Sequence, residues 1–324
     1  MRHFIFEFIT GGGLTGQDLP ESLLIEAELM LQSLISELRE LNIELFVSRD
    51  SRLEKLDENI KQYTVVKNID KELRGHIKNM DVCWLIAPET EQCLERYAQI
   101  FSDSKSVFIG SRVEAIRLSS SKYLTNKILL ENTINVVETK KIDQIIPESN
   151  TGWIVKPDDG AGAEGAQLMP NKEKLDSFII SQCNNNFITQ PYIKGNHMSM
   201  SLLVYNGDVC LLGCNKQYVD INEEGVKLER IGVNECLSYK DEMLSLAKEI
   251  VLTVSGLAGY IGVDLIEEDG KLFVLEINPR LTTAYAGLSE SLGCNVAAKI
   301  LDTFVFKKLP DINLDSAKSV VVNV

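Results

Sequence analysis

The sequence predicts an α/β protein that turns to α+β in its C-terminal two-thirds, on three observations. Strand-like and helix-like segments alternate from residue 4 to about 112, the pattern of a parallel sheet with crossover helices. From residue 151 short strands dominate, and Asn206-Gly207 marks a tight hairpin between two of them. A chain of 324 residues also exceeds one ordinary core. The change in texture therefore divides it into an N-terminal α/β domain (1–115), a central part carrying a glycine loop (116–197) and a C-terminal part (198–324).

Residues 4–9 (FIFEFI) read as a strand that ends in glycines. Residues 20–41 have apolar side chains at helical spacing, with Pro20 in the first turn, and form an amphipathic core helix. Strands at 43–48 and 63–66, a helical stretch near 69–79, a buried strand at 82–87, a helix at 89–102 and a strand at 106–110 complete the block. Residues 114–133 read as a loop with a serine run leading into a helix. Strands follow at 153–157, 187–193, 200–206 and 208–219, then a helix at 240–257 and a final hairpin over 261–278.

Composition narrows the function. With 44% hydrophobic and 25% charged residues the chain is globular, and a net charge of −14 offers no basic excess for nucleic acid or an anionic membrane. Seven cysteines without a Cys-x-x-Cys pair (83, 93, 183, 210, 214, 236, 294) fit reduced thiols rather than disulfides or a zinc site. No signal peptide or membrane span is visible, so a soluble cytoplasmic protein is expected.

Three stretches suggest chemistry. Gly11–Gly16 (GGGLTG) matches a dinucleotide fingerprint, but Asp18-Leu19-Pro20 delays the helix and position 37 is a mid-helix glutamate. It reads better as a glycine turn lining a substrate cleft, with an NAD-dependent oxidoreductase as a distant alternative. The final hairpin places Asp264 and Glu276 around Asp269-Gly270. A two-residue turn would pair Asp264 with Leu275; a three-residue loop would set Asp264 opposite Glu276, with Asn278 following on that face. Three oxygen donors there suit one or two Mg²⁺ ions that also touch phosphates. In "IVKPDDGAGAEG", Lys156 ends a strand and Gly160, Gly162 and Gly165 follow in a loop able to bring N–H groups against phosphate.

"SSSKYLTNKILL", "IVKPDDGAGAEG", "TQPYIKGNHMSMSL", "GVDLI" and "LEINPRLTT" stand in the order and spacing of the ATP-grasp superfamily, which the chain resembles over about 115–285. The resemblance implies an ATP-grasp fold, with ATP held between the central and C-terminal subdomains and the N-terminal domain on the substrate side. Lys122 and Lys156 match the lysines that hold the phosphates, and Gln190, Pro191, Tyr192 and Ile193 stand at the hinge that contacts adenine. Asp264, Glu276 and Asn278 match the ligands of Mg²⁺, for which Mn²⁺ can substitute.

The chain departs from the family at two places. His197 stands beyond the hinge glycine where many members bind ribose through a glutamate. Gly262 replaces an arginine found in the D-alanine ligase branch, so Arg280, with Lys216 and Arg230 as other candidates, is expected to take over charge at the reacting groups. "FEFITGGG", "NKQ" (215–217) and "NPRLTTAYAGL" further resemble the branch with tyramine–glutamate ligases of methanofuran-type coenzyme synthesis.

That branch implies an ADP-forming ligase that joins glutamate or another amino acid to an amine such as tyramine or tyrosine through an acyl phosphate, as a homodimer. A dipeptide-type ligase and a non-catalytic ATP-binding module are the alternatives.

Overall fold

The structure, a computed structural model, describes residues 1–162, 164–182, 186–222 and 225–324. The N-terminal part alternates β1 (Arg2–Glu7), α1 (Glu21–Arg39), β2 (Glu44–Asp50), β3 (Lys61–Val65), α2 (Ile69–Ile77), β4 (Val82–Ile86), α3 (Cys93–Ser102) and β5 (Val107–Ile109). Its five strands are parallel in the order β3-β2-β1-β4-β5. All of β4 is buried, as expected for a strand covered by helices on both faces. The strand order reverses between β1 and β4, and the crevice beyond the carboxyl ends at such a point is where α/β sheets bind ligands.

The glycine run follows the carboxyl end of β1 and folds back on it. Gly11 donates its N–H to the Glu7 carbonyl and Gly13 to that of Phe8, both at 2.8 Å. A Cβ on Gly11 would come within 2.3 Å of the Glu7 carbonyl oxygen, and one on Gly13 within 2.2 Å of the Phe8 ring. Tight folding back onto β1 is enough to require Gly11 and Gly13.

The chain continues through α4 (Val113–Ser120), α5 (Lys122–Glu131), β6 (Lys140–Lys141), β7 (Trp153–Pro157), β8 (Gln167–Met169), α6 (Lys172–Ser181) and β9 (Phe187–Pro191). The serine run is not a loop: Ser119 and Ser120 end α4, and Ser121 caps α5 by accepting the Leu124 N–H. Ala115, Leu129 and Ile134 pack in one core with Met200, Val263 and Ile277, so α4 and α5 lean on the C-terminal sheet. The central sheet, β6-β9-β7-β8, has its own small cluster, built on buried Trp153, Val155, Met169 and Leu175.

The last part contains β10 (Asn196–Tyr205), β11 (Asp208–Asn222), β12 (Gly225–Val233), α7 (Lys240–Thr253), β13 (Gly259–Glu268), β14 (Lys271–Asn278), α8 (Tyr285–Leu292), α9 (Val296–Phe306) and β15 (Val320–Asn323). Its six strands are antiparallel in the order β14-β13-β10-β11-β12-β15. Asn206 and Gly207, both at positive φ, make the expected hairpin turn.

Asp269 and Gly270 also have positive φ, and Glu268 pairs with Lys271, so the second turn has two residues. Leu265 nevertheless pairs with Val274 while Asp264 pairs with Glu276. Leu275 is the extra residue of a β-bulge, and it restores the register that a two-residue turn alone would lose.

One apolar core joins the ends of the chain: Ile5, Leu31 and Leu34 pack with Leu203, Tyr285, Leu288 and Ile300. Glu37, buried in α1, accepts from the Tyr285 hydroxyl at 2.9 Å and from the Ala297 N–H of α9 at 2.7 Å. Among the described residues no helix is long and apolar enough to cross a membrane. Six cysteines are free thiols, and Cys183 lies outside the described residues.

Candidate active site

A single cleft is lined by the central sheet, the C-terminal sheet and α1, and it brings together residues more than 250 positions apart. Lys122 begins α5 because Ser121 ends the previous helix in an extended conformation, and Lys156 comes from the last turnward residues of β7. Their ammonium groups lie 3.4 and 3.5 Å from the same carboxylate oxygen of Glu276. Lys122 also donates to the Gly160 carbonyl at 2.5 Å.

Asp158 ties the two lysine-bearing elements together. Its carboxylate accepts from the Ser121 hydroxyl and from the Tyr123 N–H, at 2.7 and 2.8 Å, at the start of α5. Gly160, Gly162 and Gly165 continue from it; Gly160 and Gly162 line the cleft, and the intervening Ala163 lies outside the described residues.

Asp264 and Glu276 face each other across β13 and β14. Burial, and then the charge of Glu276, raise the Asp264 carboxyl above its usual range. Burial would raise Glu276 too, but the Lys122 and Lys156 ammonium groups outweigh it and hold Glu276 low. Lys156 is pushed down, by burial first and by Lys122 as well, with Glu276 opposing. Gln217 and Asn278 donate their side-chain N–H groups to the two Asp264 oxygens at 2.8 and 3.1 Å.

Among the described residues no three His, Cys, Asp or Glu side chains gather as a metal cluster, so the third donor here is an amide. Two carboxylates and an amide oxygen, with no sulfur or imidazole, fit a hard cation such as Mg²⁺ or Mn²⁺. A cation would also relieve the repulsion between Asp264 and Glu276.

Elsewhere in the cleft lining, Gln190 is buried and donates to the Thr139 hydroxyl at 2.9 Å. Tyr192 donates its backbone N–H to the Gly152 carbonyl at 2.9 Å and accepts the Thr151 hydroxyl. Pro191, Tyr192 and Ile193 line the cleft on this pinned segment. His197 lines it as well, and burial, then Lys156, lowers its pKa and keeps the imidazole neutral.

Arg280 follows the metal-side carboxylates and is clamped by Glu89, which stands just beyond β4. Its Nε lies 2.9 Å from Glu89 Oε1 and its Nη2 2.9 Å from Oε2. Gly262 leaves no room for an arginine, since a Cβ there would lie 2.5 Å from the Thr282 methyl. Lys216 is not brought to the cleft. On β11 the alternate residues Gln217, Val219 and Ile221 face inward, whereas Lys216 and Arg230 lie over the Tyr218 ring. Sequence reasoning named the neighbour of the inward residue and missed Gln217, Glu89 and Glu26; strand alternation from Val219 and Ile221 would have found the first.

A family described as an ATP-grasp domain matches residues 119–284, and one described as a pre ATP-grasp 3 domain matches 43–116. The chain belongs to the ATP-grasp family. It is similar to a tyramine–L-glutamate ligase of Methanocaldococcus fervens, with 29% identity over 289 residues, 87% of this chain and 88% of the relative. It therefore stands among the ATP-grasp ligases.

A solved ATP-grasp superfamily protein from Archaeoglobus fulgidus superposes with a TM-score of 0.72 at 22% identity, covering 100% of this chain and 99% of that one. The L-amino acid ligase from Bacillus licheniformis follows at 0.67 and 15%, covering 94% and 74%. These two show a common ATP-grasp fold.

Proposed function

We propose that the protein is an ATP-dependent carboxylate–amine ligase that joins an amino acid, glutamate above all, to a small amine such as tyramine, with release of ADP and phosphate. The observation that carries this reading is the shared contact of Lys122 and Lys156 with Glu276 beside Asp264, buried in one cleft that also holds Arg280. Without nucleotide, Glu276 neutralises two buried ammonium groups that have no other carboxylate within ion-pair distance among the described residues. With ATP, phosphate oxygens take over the lysines, whose point charges suit them.

Bound Mg²⁺ would supply charge neutralisation across the β- and γ-phosphates, with Asp264, Glu276 and Asn278 as its ligands. The substrate carboxylate attacks the γ-phosphorus and ADP leaves, giving an acyl phosphate. Arg280, held rigid by Glu89, is placed to stabilise the negative charge of this species. The amine then attacks the acyl carbon and phosphate leaves. Closure of the loop around Gly160–Gly165 shields the acyl phosphate from water.

The reading is tested by Mg²⁺-dependent ADP release with each amino acid in turn, hydroxylamine replacing the amine. A hydroxamate formed with glutamate supports it. ATP binding without ADP release for any amino acid overturns it in favour of a binding module or another carboxylate.

A further inference from the structure

Four acidic side chains line the cleft: Glu26, Glu164, Asp264 and Glu276. Asp264 and Glu276 belong to the phosphate end, and Glu164 is an exposed residue of the glycine loop. Glu26 is different. It projects from the second turn of α1, at the crevice side of the N-terminal domain, and makes no ion pair with any described residue. Among the described residues its hydrogen-bond partner is the Thr283 hydroxyl, which donates to Oε2 at 2.9 Å. The nearby cation, Arg280, directs its hydrogen bonds to Glu89 and the Leu281 carbonyl and makes none with Glu26. A half-buried carboxylate with no ion-pair contact is costly unless a ligand supplies one.

We propose that Glu26 is the seat of a substrate ammonium group, an inference that rests on the ligase reading above. Glu26 and Arg280 line the same cleft, and Thr283, which donates to Glu26, stands three residues beyond Arg280. An acyl phosphate formed beside Arg280 therefore shares its cleft with Glu26, where a substrate ammonium can reach both. Leu228 and Ile231 line the same cleft and offer an apolar wall to the body of an amine.

Two substrates of an amide-forming ligase can bring this group: the acceptor amine, and the α-ammonium of the amino acid. If it is the acceptor, the carboxylate also takes one proton as the nitrogen lone pair forms the C–N bond. The C–O bond to phosphate then breaks, and the second proton leaves with the phosphate as hydrogen phosphate.

Steady-state kinetics of Glu26→Gln and Glu26→Asp test the proposal, with KM measured separately for ATP, amino acid and tyramine, and for the amino acid again with hydroxylamine as the nucleophile. Loss of a charge-assisted hydrogen bond is expected to raise one KM about ten- to a hundredfold in Glu26→Gln. The KM for ATP stays within about threefold, and Glu26→Asp recovers part of the loss. A rise for tyramine alone assigns the acceptor ammonium; a rise for the amino acid, seen also with hydroxylamine, assigns the α-ammonium. A folded Glu26→Gln protein with neither KM raised overturns the proposal. Wild-type protein that forms no product with any pair overturns the ligase reading instead.

Discussion

Glu276 stands within 3.5 Å of two buried ammonium groups, so its removal acts on the lysines as much as on the metal-side donors. Glu276→Ala is expected to lower Mg²⁺-dependent ADP release by a factor on the order of a hundred to a thousand, comparable to loss of one electrostatic group at a reacting centre. Far-ultraviolet circular dichroism should keep its native shape; full activity in this variant would sink the site assignment. His3 gives a test of a different kind. It is buried, accepts from Trp84 Nε1 at 3.2 Å, and burial, then the terminal ammonium, lowers its pKa to about 4. The unfolded chain binds a proton on this residue between its ordinary value near 6.5 and about 4, whereas the folded chain does not. Stability therefore falls as pH drops through that window. His3→Asn, which keeps an acceptor for Trp84, should flatten the fall in Tm between pH 7 and pH 4.5; an unchanged slope would remove His3 as its source. At this scale Lys156, Asp264 and Glu276 stood out by local pattern and Lys122 by the family resemblance alone, and the structure brings the four together. Glu26 and Glu89 did not stand out, because their roles come from contacts with Thr283 and Arg280, 257 and 191 residues away.

Between residues and molecule stand two devices that aim the lysines and carboxylates. The bulge at Leu275 was hidden in the sequence, where Asp269-Gly270 signals a two-residue turn and nothing signals an extra residue later in the strand. The expected pairing of Asp264 with Glu276 holds, but through the bulge rather than a longer loop. The serine run was misread for a related reason: three serines suggest a loop, yet one of them is a helix cap whose partner, Asp158, lies in the turn after β7. Asp158→Ala should therefore do two things. Loss of the capping interactions is expected to cost about 1 kcal/mol, read as a lower urea midpoint. The start of α5 and the end of β7 should also lose register, raising KM for ATP several-fold because Lys122 and Lys156 no longer meet at Glu276. A lowered midpoint with unchanged KM would show that the cap is purely structural.

The parts of the molecule are unequally held. The N-terminal sheet and α1 share a core with β10, α8 and α9, and Glu37 fastens α1 to α9. These distant segments therefore stabilise one another and are expected to unfold together. The central sheet has a far smaller buried cluster around Trp153 and Leu175, while its strands carry Lys156 and the hinge. Few buried apolar contacts mean a low free energy for local opening. Amide hydrogen exchange should thus be faster over β7, β8 and β9 than over β1, β4, β10 and β13. On the proposed function Mg²⁺ and ATP would bind only when this sheet is in place over Asp264 and Glu276, so by mass action they should slow exchange there more than elsewhere. Exchange in the central sheet as slow as in β1, or protection by nucleotide spread evenly over the chain, would mean that the cleft is closed by a rigid body rather than by a marginally stable cover.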